Sequence, residues 1–150
     1  MGKTVLEKIS EGIEVSKDEC VRSLAAHMSG FRSLLERFEN DIKLFVKAPD
    51  ETLKKICQNS ITACHDKQTM VNEMTEQLIV RLDENNPDDK VTKDEAEKKR
   101  TDCATKLNAA KLEFIDNLAK YNTEKAKKEK EQIENQENQV VRGYSRSEAL

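Results

Sequence analysis

Leu24, Met28, Phe31, Leu35, Phe38, Ile42 and Phe45 recur at alternating steps of four and three residues. That is the a/d spacing of a helix that turns one face towards other helices. At 1.5 Å per residue the seam is roughly 33 Å long. Leu34 lies beside it and widens the apolar face, as the helices of a bundle require. Upstream, Leu6, Ile9 and Ile13 also keep helical spacing but stand out of register with the later seam. Ser16 and Glu19 form an S-x-x-E capping box a few residues after Gly12. Either a short helix ends near residue 15 or one helix runs through with a stutter, and the break is the preferred of the two.

Ala48-Pro49-Asp50-Glu51 closes the first long helix, predicted over about 16–47, and opens a second over about 50–83. The second carries Leu53, Ile56, Cys57, Ile61, Cys64, Val71, Met74, Leu78 and Leu82, with its stripe interrupted around Lys67. Asp83-Glu84-Asn85-Asn86-Pro87-Asp88-Asp89 reads as a loop. Thr92 and Glu95 supply a T-x-x-E box, which predicts a third helix over about 92–124. Its stripe is Ala96, Cys103, Leu107, Ala110, Phe114, Leu118 and Tyr121, with Ile115 adjacent. Residues 125–139 are nearly all Lys, Glu, Gln and Asn around a single Ile133. Good helix propensity predicts a polar extension there, and residues 141–150 read as a disordered tail.

Composition agrees with helices and excludes an all-β fold: 37% charged, 4% aromatic, no Trp, 4 Gly and 2 Pro. Short connections force long helices to alternate in direction. The expectation is therefore an all-α, antiparallel up-down-up three-helix bundle of long coiled-coil-like helices at 16–124. A short N-terminal helical segment at 1–15 precedes it, and a polar extension and tail at 125–150 follow.

Net charge is −3, and only residues 49–89 are clearly one-sided, with 4 basic and 9 acidic side chains. No basic footprint interleaved with aromatics exists to neutralise phosphates, so no nucleic-acid partner is expected. No apolar run approaches a membrane span and no signal-peptide core precedes the first helix. Gly2 is followed by Leu6 where a myristoylation signal needs Ser or Thr, and no prenylation Cys ends the chain. The chain reads as cytoplasmic.

Cys20, Cys57, Cys64 and Cys103 form no C-x-x-C pair and fall on or beside apolar stripes, which marks them as small buried hydrophobes. His27 and His65 form no H-x-x-x-H or H-E-x-x-H pair, and no glycine-rich phosphate loop is present. No catalytic, cofactor-binding or metal-ligating set is expected, and no enzyme activity. Lys98, Lys99 and Arg100 are the candidate patch for an acidic partner. The Lys-rich run at 125–130 alternates with Glu129 and Glu131, a solvated helical face. Arg142 three residues before Ser145 has the shape of a basophilic kinase site.

Leu44-Phe45-Val46-Lys47-Ala48-Pro49 and Glu97-Lys98-Lys99-Arg100 resemble, in order and spacing over about 20–122, the BAG co-chaperone domain. The chain departs from it at Thr101-Asp102-Cys103, where that domain continues with aliphatics. The resemblance implies that Arg100 and its helical neighbours contact the nucleotide-binding domain of a seventy-kilodalton heat-shock chaperone and promote nucleotide release. Three long helices also resemble a BAR domain, which would imply a membrane-associated dimer. The chain differs in its acidic middle helix and in Glu7, Glu11 and Glu14 on the leading segment. The function expected first is a non-enzymatic protein-interaction or scaffold module that packs helices against another protein, or against a second copy in a homo-oligomer.

Overall fold

The computed structural model describes the backbone of residues 2–148 and the side chains of residues 2–137. Among these residues the chain is all-helical, with α1 at Val5–Ser10, α2 at Lys17–Lys47, α3 at Glu51–Ile79 and α4 at Pro87–Glu148. It forms two compact units, Met1–Glu113 and Phe114–Leu150.

Each start is fixed by a side chain that accepts an otherwise orphaned backbone amide. Thr4 Oγ1 takes the Glu7 amide at 3.1 Å, and Ser16 Oγ takes that of Glu19 at 3.2 Å. Asp50 Oδ1 takes the Leu53 amide at 2.7 Å. The break between α1 and α2 needs Gly12, whose φ of 76° a residue with a Cβ rarely adopts. Pro49 follows Ala48, which closes α2 because a residue before proline is pushed out of the helical region.

The third long helix starts earlier than Thr92. Asn86 Oδ1 accepts the Asp88 amide at 2.9 Å, and Pro87 takes the first helical position, where its missing N–H costs nothing. Thr92 is one turn inside, its hydroxyl donating to the Asp88 carbonyl at 3.1 Å. The second long helix ends at Ile79 rather than Leu82 or Asp83, as backbone bonds from Arg81 to Leu78 and from Leu82 to Ile79 tighten its last turns. The backbone of α4 stays helical to Glu148, across most of the segment read as disordered. Ala149 and Leu150 lie outside the described residues.

The first unit's core is built on α2. Leu24, Met28, Phe31, Leu35, Phe38, Ile42 and Phe45 are all buried, and Cys20 extends the row upstream. α3 contributes Cys57, Cys64, Val71, Met74 and Leu78, while Ile56 stands 37% exposed. Its inward row also holds Gln68 and Thr75, so the stripe passes through a glutamine beside Lys67 rather than lapsing there. The Thr75 hydroxyl donates to the Val71 carbonyl at 2.7 Å, so its polar atom is satisfied within the helix. From α4 come Ala96, Cys103, Leu107 and Ala110.

Contacts between helices follow a regular order. Ser60 Oγ donates to Asp41 at 2.6 Å, Lys67 crosses over Gly30, and Arg81 Nε donates to the Val15 carbonyl at 2.8 Å. Positions on α3 thus rise as those before and along α2 fall. Likewise Arg100 meets Glu76, and Lys111 meets His65 at 3.2 Å. Lys17 reaches Asp89 at 2.9 Å, and Thr92, Ala96 and Lys99 line a crevice with Val21, Leu24 and Met28.

In the second unit Phe114 is 2% exposed, and Leu118 and Tyr121 are half-buried. From residue 122 to 137 every described side chain is exposed.

Candidate protein-docking groove

Consecutive residues on a helix point about 100° apart, and this separates the basic triplet at residues 98–100. Lys99 lines a crevice with Met28, Phe31 and Leu35 of α2. Arg100 turns the other way and forms an ion pair with Glu76 of α3. Lys98 is exposed. The three cations therefore make no single patch: one serves the α2 side, one the α3 side, and one remains in solvent.

Arg100 lies on the wall of a groove of about 750 Å³. α3 supplies Asn72, Glu73, Glu76 and Gln77. One turn apart on α4, Thr101, Ala104, Thr105 and Asn108 form the facing wall. The third side is α1, through Leu6, Ile9 and Ser10. Aliphatic carbons from Leu6, Ile9 and Ala104 alternate with amides, hydroxyls and the Arg100–Glu76 pair. A peptide side chain can be desolvated there while its backbone and polar ends find partners. Glu73 is exposed on the rim and holds no ion pair among the described residues.

Below Asn72, Gln68 Nε2 donates to Asn72 Oδ1 at 2.9 Å, while Gln68 Oε1 is buried without a partner. His27 Nδ1 is likewise buried and unpartnered. Burial, with Lys67 nearby, holds the His27 imidazole below its usual range.

A clasp closes the end of the unit at which α2 begins. Asp89, 6% exposed, accepts the Asp83 amide at 2.9 Å and the Lys17 ammonium at 2.9 Å. Its carboxyl is held below the usual range by the Asp83 amide first and Lys17 second. Lys17 is correspondingly raised by that hydrogen bond. Arg81 adds a second tie, donating to the Val15 carbonyl and, at 2.7 Å, to the Gln77 carbonyl near the end of α3.

All four cysteines are free and buried. Burial pushes the Cys57 and Cys64 thiols up to about 11, helped by Asp41 and Glu39 respectively, and raises Cys20 and Cys103 as well. A thiol so far above neutrality is a poor nucleophile. No group of three or more His, Cys, Asp or Glu among the described residues is placed to hold a metal ion. No described helix is long and apolar enough to cross a membrane. The side chains of Arg142 and Ser145 lie outside the described residues.

The chain matches no protein-family model, no curated protein and no solved structure. Its groove therefore has to be read from its own chemistry. No contiguous run of sequence marked it, because its three walls come from residues 6–10, 72–77 and 100–108. The one signal available was Leu6 and Ile9, an apolar pair out of register with the main seam and so free to face a different neighbour.

Proposed function

We propose that this protein is a non-enzymatic helical interaction module that docks another protein in the groove between α1, α3 and α4. The observation that carries the proposal is the groove itself: about 750 Å³, open, and lined by Leu6, Ile9 and Ala104 among polar side chains. Its supporting frame is an up-down-up antiparallel arrangement of α2, α3 and the first part of α4. The opposed pairings of Asp41 with Ser60 and of Glu76 with Arg100 favour that order, as does the parallel run of α2 and α4 from Lys17 and Asp89 onward. Four free thiols suit a reducing compartment such as the cytoplasm. The exposed helix at 122–137 offers a second, polar surface that a scaffold could use.

Affinity purification with mass spectrometry tests the proposal, comparing wild type with Ala104→Glu. Ala104 is half-buried in the groove wall, so the added carboxylate projects into the groove rather than the core. Proteins captured by wild type should be lost from the variant while its thermal unfolding is unchanged. If a folded variant captures the same proteins, the groove is not the docking site.

A further inference from the structure

We infer that the furrow between α2 and α4 is a second docking surface, which holds an acidic segment of a partner protein with its carboxylates among Arg32, Lys99 and Lys106. The furrow shares no lining residue with the groove between α1, α3 and α4, so neither site depends on the other.

Lys99 and Lys106 are seven residues apart on α4 and so stand on one face, about two turns apart. Arg32 of α2 lines the same crevice of about 220 Å³, above Met28, Phe31, Leu35 and Cys103. All three cations are exposed, and none holds an ion pair among the described residues. Asp102 is the one acid in the lining, so three cations face a single carboxylate. Burial raises the Cys103 thiol while Arg32 and then Lys106 pull it back, so both cations act on one point of the floor. That floor is apolar and at most 9% exposed. Cations beside it are less screened than in open water and attract an anion more strongly.

Through Met28 and Lys99 the crevice continues into another, which Val21 and Ala25 share with Glu95 and Ala96. From Val21 to Leu35 the furrow runs about 21 Å along α2. Its two ends differ in chemistry. Val21 is 40% exposed and Ala25 is exposed, which makes an apolar end where Glu95 repels carboxylates. Arg32 and Lys106 make the cationic end. The occupant therefore carries acidic side chains at one end and a small aliphatic at the other, which fixes its direction along α2. Nucleic acid would need a longer basic track with stacking aromatics.

The experiment follows the full chain by fluorescence anisotropy with a labelled peptide of repeated Leu-Glu-Glu units. Its Leu-Gln-Gln counterpart is the neutral control. The acidic peptide should bind wild type at least tenfold tighter than the neutral one, and more weakly as salt rises. Arg32→Gln with Lys106→Gln should weaken it at least tenfold. Lys43→Gln with Lys98→Gln removes the same charge from exposed positions outside the furrow and should change affinity less than twofold. Circular dichroism checks that both double variants keep their helices. Equal binding of the two peptides would overturn the inference, as would equal losses in the two double variants. Displacement of the peptide by inorganic phosphate, but not by chloride at matched ionic strength, would assign the crevice to a small anion instead. Self-association of wild type that only the Arg32→Gln, Lys106→Gln variant loses would assign it to a second copy of the chain, and also overturn the inference.

Discussion

Phe31, Phe38, Phe45 and Phe114 are the chain's four phenylalanines and all four are buried, whereas Tyr121 is half-buried. Phe38 is 0% exposed. Phe38→Ala should cost about 3–5 kcal/mol in urea unfolding, the lost transfer energy plus that of the cavity. Gln68 poses the opposite case. It is 7% exposed with its carbonyl oxygen unmatched, and its amide serves only Asn72, which is exposed and can turn to water. Gln68→Met keeps the length of the side chain and removes the orphaned acceptor, so it should stabilise the protein by about 1 kcal/mol. Urea unfolding at pH 7 checks both variants, and a loss on Gln68→Met would mean that the glutamine is satisfied.

Legibility in the sequence was set at this scale too. The α2 seam could be read because each of its positions is a large apolar residue. The α3 seam could be read only in part, since hydrophobicity cannot signal that Gln68 and Thr75 are inside while Ile56 is half outside. Thr75 is buried cheaply because its own helix accepts its hydrogen bond, a local bond with no counterpart in composition. Lys98, Lys99 and Arg100 were grouped because they adjoin in sequence, and helical geometry separates them.

Among the elements, the decisive feature is the clasp between the start of α2 and the turn into α4. A T-x-x-E pattern inside α4 outshone the true start at Asn86, since asparagine followed by proline reads equally well as a loop. Asp89 was legible only as one acid among many. Its burial and its two partners depend on Lys17 arriving from 72 residues away. A carboxyl held below its usual range binds its proton more weakly folded than unfolded. The stability it contributes is therefore full above about pH 4, the unfolded carboxyl value, and is lost as pH falls through the lower folded value. Asp89→Asn should lower the urea midpoint at pH 7. The difference from wild type should shrink as unfolding is repeated towards pH 3. An unchanging difference would place the role of Asp89 in shape rather than charge.

For the molecule as a whole, each unit behaves according to what it buries. The described part of α4 beyond Tyr121 buries no side chain, and its helix draws on residue propensity rather than on packing. A chain ending at Glu124 should therefore lose helical circular dichroism while its melting temperature moves by less than about 2 °C. A larger fall would show that the polar helix supports the rest of the fold. The three-walled groove belongs to this scale as well, and it was illegible for that reason. Periodicity finds the faces of single helices, whereas the groove exists only once three of them have come together.

The clasp has a consequence in time. Asp41 and Ser60 are 19 residues apart in the chain, whereas the bonds from Lys17 to Asp89 and from Arg81 to Val15 close loops of 72 and 66 residues. Closing the longer loops costs more chain entropy, so the α2–α3 hairpin is favoured to form first and the clasp to fasten behind the barrier. In stopped-flow kinetics Asp89→Asn should then accelerate unfolding and leave refolding almost unchanged. The latch that forms last governs how long the folded molecule lasts, and has little say in how quickly it is made.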